Sequence, residues 1–195
     1  MIEADRLILR PWLDSDLDAL TAINDDPAVY QWLAGPFTRE MNAASIKRQQ
    51  GFQAEHGYCC WALVEKVSGL LIGASGLMPV TFDAGFLPAV EIGWRLSPTF
   101  QGKGYATEAA KAALAHGFGP AGLDEIVAFT VPHNRASRAV MERIGMRHEP
   151  AMDFDHPRLA EGHALRRHVF YRVRAAQTVI PAEAGTQREA RSAPI

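Results

Sequence analysis

The sequence contains only two cysteines in 195 residues, and Cys59 and Cys60 are neighbours. Adjacent cysteines cannot close an ordinary long-range disulfide with each other, so reduced thiols are expected. A metal site would want two such pairs or histidines at ligand spacing; His56 stands alone beside them, and packing is the expected role. No apolar run approaches the roughly 20 residues that span a bilayer. The opening Met1-Ile2-Glu3-Ala4-Asp5-Arg6 lacks the basic and apolar regions of a signal peptide. Charge of one sign is scarce too: the formal net charge is −2 at pH 7, which gives no global attraction to nucleic acid or an anionic membrane. A cytoplasmic protein is expected, with neither nucleic acid nor membrane as partner.

With 48% hydrophobic and 22% charged residues, the chain can bury one substantial core and is too short for two typical domains. Leu7 and Leu9 alternate with Arg6, Ile8 and Arg10 in a first strand that ends at Pro11. Asp14 or Ser15 caps a helix carrying Leu17, Leu20 and Ile23, stopped at Asn24-Asp25-Asp26-Pro27. A second helix runs from Thr38 to Gly57. Residues 61–65 and 70–77 read as a hairpin turning at Ser68-Gly69. In 90–96 a two-residue period sets Val90, Ile92, Trp94 and Leu96 on one face and Glu91, Gly93 and Arg95 on the other. Tyr105 to Phe118 is a helix by its alanine content, with Gly117, Gly119, Pro120 and Gly122 marking its end. Residues 126–131 form a buried strand, Asn134 caps a further helix ending near Gly145, and 168–173 form the last strand.

The most informative stretch is residues 96–107, Leu-Ser-Pro-Thr-Phe-Gln-Gly-Lys-Gly-Tyr-Ala-Thr. A strand enters it and a helix leaves it. Gly102 and Gly104 permit a tight turn and close approach, and the first turn of the helix offers free N–H groups to an anion, most naturally a pyrophosphate. It is not a Walker A loop, because Lys103 is followed by Gly104 and nothing upstream supplies the first glycine. Nor is it a dinucleotide fingerprint: Thr107 stands where a third glycine belongs, and Asp124 precedes the next strand instead of ending it.

Gln101-Gly102-Lys103-Gly104-Tyr105-Ala106 resembles the acetyl-CoA signature Gln/Arg-x-x-Gly-x-Gly/Ala of the GCN5-related N-acetyltransferases, with every specified position matched. The resemblance extends from about Arg6 to Arg172 and is closest to the branch that acetylates ribosomal-protein N-termini. It includes the opening Arg6-Leu7-Ile8-Leu9-Arg10-Pro11-Trp12, the strand Val90-Glu91-Ile92-Gly93-Trp94, and Asn134-Arg135-Ala136-Ser137 through Gly145-Met146. It implies an α/β (α+β) fold: a mixed, mostly antiparallel sheet of six to seven strands, splayed between the fourth and fifth and flanked by about four helices. Residues 1–174 would be one acetyltransferase domain, acting as a monomer or homodimer. Residues 175–195 would be a poorly ordered tail, part of which looks like translated bacterial repeat DNA.

The implied reaction is attack of a neutral amine on the thioester of acetyl-CoA, without a metal, through a tetrahedral oxyanion. The resemblance gives cofactor binding to Gln101, Gly102, Lys103, Gly104, Tyr105, Ala106 and Thr107; the alternative for Lys103 is a solvated charge. It puts a bulge in the preceding strand and a backbone amide at about Leu96 on the thioester oxygen. Glu91 is the candidate base; alternatively it holds an acceptor's charge or pairs with Arg95. No tyrosine lies between Tyr105 and Tyr171 to protonate the leaving thiolate, so Ser137 takes that place, with Asn134 on the pantetheine. The plainer reading of both is a helix cap and its first turn. Arg135, Arg138 and Arg143 face either the 3′-phosphate or solvent. Acceptor specificity would lie in 82–88 and 152–162, where Asp153 and Asp155 either receive a cationic acceptor or form a solvated turn. A CoA-binding sensor without catalysis is the alternative on the same fold.

Overall fold

The computed structural model describes residues 1–33 and 35–175; of the expected tail, residues 176–195 lie outside the described residues. The strands are β1 (Ile2–Glu3), β2 (Leu7–Arg10), β3 (Cys60–Glu65), β4 (Leu71–Pro79), β5 (Val90–Leu96), β6 (Glu125–Thr130), β7 (Arg147–His148), β8 (Phe154–Asp155) and β9 (Arg167–Arg174). The helices are α1 (Leu17–Asn24), α2 (Pro27–Tyr30), α3 (Arg39–His56), α4 (Tyr105–Phe118) and α5 (Arg135–Arg143). Six strands have four residues or more, and the sequence identifies each of them. The short β1, β7 and β8 and the single turn of α2 carry too few residues for a period to register.

The sheet order is β1-β2-β3-β4-β5-β6-β9-β7, with β8 also on β9. Every pairing is antiparallel except β5 with β6, which is parallel and reduced to one register pair, Glu91↔Val127. Beyond that pair the two strands part. The splay therefore lies where expected, but its cause differs. Between β4 and β5 the register runs without a shift from Pro79↔Val90 to Gly73↔Leu96, so β5 has no bulge against β4; the irregularity falls at Leu63/Val64 between β3 and β4.

Alternation along the strands assigns the two faces. Leu7, Leu9, Leu63 and Ile92 join Ala109, Ala110 and Ala113 of α4 in the main core, all at most 1% exposed. Small side chains let α4 lie close to the sheet. Gly117, read above as an end marker, is an extreme case inside α4, since a Cβ there would stand 2.6 Å from Ile126 Cδ1 and 2.9 Å from Leu77 Cδ1. The opposite face, with Ala62 and Ala74, packs against Trp12, Leu20 and Ile46 of the α1 and α3 side.

Contact with α3 is partly polar, which blurs its apolar period. Gln49 accepts the Cys60 amide at 2.8 Å, and Gln53 accepts the Trp61 indole N–H at 2.7 Å. Thr38 caps the helix by accepting the Met41 amide, and Gly57 ends it at φ +75°. Both cysteines are free, and burial pushes both thiols well above their ordinary pKa, which suits packing and leaves them unreactive.

Candidate active site

The end of β5 is arranged by an alternation rule. Amides of successive residues in an antiparallel strand point to opposite edges. Ser97 donates to the Ile72 carbonyl on the β4 side at 2.8 Å, so the amide and carbonyl of Leu96 point to the other edge, where β6 has separated. The carbonyl is taken by Gln101, whose Nε2 donates to it at 3.0 Å. The Leu96 amide makes no hydrogen bond among the described residues. Gln101 therefore serves the strand end first, tying the loop to β5 and leaving the amide beside it free.

From there the chain enters the glycine loop. Gly102 has φ +72° and Gly104 has φ +85°, values that L side chains adopt only with strain. At Gly104 an added Cβ would also meet Arg6 Nη2 at 3.4 Å. The first backbone bond into α4 is Glu108 N–H to the Gly104 carbonyl. None of the six amides from Gly102 to Thr107 has a partner among the described residues, which gives an anion-binding cradle at the positive end of a 14-residue helix. Arg6 braces it: Nε donates to Glu108 Oε2 at 2.7 Å, Nη1 to the Lys103 carbonyl at 3.0 Å, and the guanidinium lies 4.4 Å from the centre of the Tyr105 ring. The Tyr105 hydroxyl donates to Glu65.

A cleft of about 820 Å³ follows this loop. Gln101, Gly102, Gly104, Tyr105, Ala106, Thr107, Leu96, Asn134 and Ser137 all line it. Two expected residues do not. Lys103 turns its ammonium over the Phe100 ring at 5.2 Å, and Arg138 directs Nε to the Tyr171 hydroxyl at 3.2 Å and Nη1 to the Pro132 carbonyl at 3.1 Å. Lys111 and Arg143 are the cations in the cleft wall instead. On α5 the cap reading holds for one atom: Asn134 Oδ1 accepts the Ser137 amide at 3.1 Å, while its Nδ2 and the Ser137 hydroxyl make no bond among the described residues.

A second cavity, of about 340 Å³, opens on the face that bears Glu91. Phe129 and His168 share that face through the registers Glu91↔Val127 and Phe129↔Phe170. The Glu91 carboxyl has no hydrogen bond or ion pair among the described residues, and desolvation alone pushes its pKa up to about 8. It does not pair with Arg95. That guanidinium donates to Asn24 Oδ1 at 2.6 Å, and Asn24 in turn donates to Asn42 at 2.6 Å, so a buried chain of amides fixes Arg95 to α1 and α3. Burial lowers the Arg95 pKa. Trp32, just after α2, lines both cavities.

Sequence reasoning placed His156 only within the 152–162 loop and assigned His168 no part; both line this second cavity. The two rings are 5.2 Å apart, and burial lowers the pKa of both. A two-residue period in β9, placing His168 on the face of Phe170, was the available signal. Asp153 and Asp155 face neither cavity. Asp153 accepts the Phe170 amide and His148 Nε2, each at 2.9 Å, and Asp155 is paired with Arg166 and Arg167.

A cleft with a free strand-end amide at one end and a six-amide cradle in its wall is shaped for an extended anionic ligand with a reactive terminus. Known proteins agree. The family model described as "Acetyltransferase (GNAT) domain" matches residues 6–147. An uncharacterized N-acetyltransferase of Bacillus subtilis (strain 168), YnaD, is 34% identical over 150 residues, covering 76% of this chain and 83% of that one. The solved GNAT-family acetyltransferase of Bacillus anthracis superposes with a TM-score of 0.74 at 28% identity, covering 89% and 97% of the two chains. The ribosomal L7/L12 α-N-protein acetyltransferase RimL, solved with coenzyme A, shares the fold at a TM-score of 0.72 and 20% identity, over 89% and 97% of the chains. Motif, fold and relatives converge, and the chain belongs to the GNAT family of acetyltransferases.

Proposed function

We propose that this acetyltransferase transfers the acetyl group of acetyl-CoA directly to a primary amine, in the cytoplasm, with both substrates bound at once. The observation that carries the reading is a pair of cavities that share Trp32 as a wall, one along the last residues of β5 and one at Glu91 near its start. Acetyl-CoA supplies an activated acyl group as its thioester. The unpaired amides of Gly102 to Thr107 would hold its pyrophosphate, with Lys111 and Arg143 adding positive charge along the wall. Asn134 Nδ2 and the Ser137 hydroxyl are free for polar contacts farther along. The Leu96 amide is fixed in direction by the β4 ladder, so it requires no reorganisation to meet negative charge developing on a carbonyl oxygen.

On the acceptor side, an amine arrives as an ammonium and must lose a proton before it attacks. Glu91 suits that task because burial raises its pKa to about 8, closer to that of an amine, so transfer is less uphill than to an ordinary carboxylate. Ser137 would return a proton to the thiolate; a thiol of pKa about 8.5 leaves without much help, so this contribution is small. The test is thiol release from acetyl-CoA by the purified protein against N-terminal peptides, polyamines, amino acids and aminoglycosides, with calorimetry of acetyl-CoA binding alongside. Turnover with one class supports the reading. Binding without turnover of any amine would make the chain a CoA sensor, and absence of binding would overturn the assignment of the loop.

A further inference from the structure

The 340 Å³ cavity has a charge pattern that selects among amines. Glu91 is its one carboxylate among the described lining residues; of the acids in the neighbouring loop, Asp153 and Asp155 are consumed by His148, Arg166 and Arg167, and the exposed Glu161 lies outside the wall. A polycation such as a polyamine would therefore meet a single acid in the wall itself.

Arg158, in contrast, is a cation in the cavity wall with no carboxylate within 4 Å among the described residues. It is held in place. Nη2 donates to the Thr81 carbonyl at 2.7 Å and to Thr81 Oγ1 at 2.9 Å, and the guanidinium lies 5.5 Å from the centre of the Phe82 ring. Its Nε and Nη1 donors make no other bond among the described residues. Beside it, His156 Nδ1 accepts the Arg158 backbone amide at 3.3 Å, which leaves the proton of the neutral ring on Nε2 as a further donor. His168 is the opposite tautomer: Nδ1 faces the Arg166 carbonyl at 3.0 Å and must donate, so Nε2 is a bare acceptor. The remaining wall includes Trp32, Phe129, Val131, Leu159 and Leu165, an apolar surface for an organic body.

We propose that the acceptor is a small amine that also bears a carboxylate and an apolar or aromatic body, in the manner of an amino acid, its carboxylate bound by Arg158 and its nitrogen placed toward Glu91. This rests on the acetyl-transfer reading above. A hydrogen bond from a guanidinium to a carboxylate is charge-assisted and among the stronger forms; with Nη2 held by Thr81, Nη1 and Nε are the donors left for it. Because Thr81 already orients the guanidinium, little freedom is lost when the acceptor binds.

The experiment compares matched trios with the full-length protein and acetyl-CoA: leucine, phenylalanine and tryptophan, the carboxamide of each, and the corresponding amine without the carboxylate, with spermidine as the polycation. We expect the amino acids to have the lowest KM. Arg158→Gln should raise their KM on the order of tenfold, with kcat, the KM of the carboxylate-free amines and acetyl-CoA binding unchanged; Arg158→Lys, which keeps the charge but not the Thr81-held guanidinium, should recover part of the loss. A lower KM for spermidine or the carboxylate-free amines, or an Arg158→Gln variant indistinguishable from the parent, would overturn this assignment and leave acetyl transfer standing. Thiol release with N-terminal peptides and none with any amino acid would do the same. No thiol release with any of these amines or peptides would overturn the acetyl-transfer reading itself.

Discussion

The two flanks of β5 solve recognition in different ways. On the side proposed for acetyl-CoA the free groups are backbone: one strand-end amide and six consecutive amides at a helix start, shaped by two glycines at positive φ. On the side proposed for the acceptor they are side chains brought from distant parts of the chain, at positions 32, 91, 129, 156, 158 and 168. Backbone groups cannot be changed by mutation without changing the turn, and they offer the same donors whatever the side chains. A ligand common to many enzymes suits such a site. An acceptor that differs from one enzyme to the next suits the other, where substitution alters specificity without disturbing the loop that holds the donor.

The sharpest way to break this contrast is Glu91→Gln. It should lower kcat by about 10² to 10⁴, the usual contribution of a positioned base, and leave acetyl-CoA affinity unchanged by calorimetry. The rate of the parent should rise with pH through about 8, where Glu91 ionises, and level off above; the variant should lack that limb. The same shift links to stability. Because the folded-state pKa is raised above its unfolded value, the folded protein binds this proton more tightly, so stability is full below the ordinary carboxylate range and declines as pH rises through about 8. The variant should therefore melt higher than the parent at pH 9 and match it near pH 4. A parent profile that stays flat across pH 8 would remove Glu91 as the base.

Gly104→Val probes the other flank. A β-branched residue at φ +85° costs roughly 1–3 kcal/mol, and relieving that strain rotates the amides of the cradle. Acetyl-CoA affinity should fall by about tenfold to a hundredfold while the protein remains folded by circular dichroism. An unchanged affinity would mean that the six amides are not the binding groups. The smaller Asn24→Ala acts on the joint between the flanks, since Asn24 is 1% exposed and connects Arg95 to Asn42. Losing a buried bond to a charged group costs roughly 2–3 kcal/mol, which for a chain of this size is a fall in Tm of roughly 5–10 °C. An unaltered melting temperature would remove this chain of amides as a structural tie.

The same contrast explains what could be read in the sequence. The cofactor loop was legible because its chemistry is contiguous: strand, two glycines and alanine-rich helix occupy residues 96–118 in one run, and local geometry follows from local residue types. Even there, the sequence left the Lys103 and Arg138 side chains open, because which way a long side chain turns depends on a partner such as Phe100 or Tyr171 that spacing does not reveal. Glu91 could be put on the right face by period alone. Its isolation from Arg95 could not, since that depends on Asn24, 71 residues away. The acceptor wall was the least legible part. Phe129 and His168 become neighbours only through strand register, and His156 and Arg158 reach them through a loop with no period.

Ser137→Ala is the finest test of the contrast. If the cofactor side works through backbone, a side chain there should matter little: the Ser137 amide, which α5 needs for its cap, is retained by alanine, and only the hydroxyl is lost. The leaving thiol is already acidic enough to depart near neutral pH, so kcat should fall by no more than about threefold, within the worth of one neutral hydrogen bond, and acetyl-CoA affinity by a similar factor. A drop as large as that of Glu91→Gln, carried by kcat with affinity intact, would make Ser137 a proton donor in its own right. The division would then fail in a specific place, because the cofactor flank would hold a catalytic side chain on α5 as the acceptor flank holds one on β5.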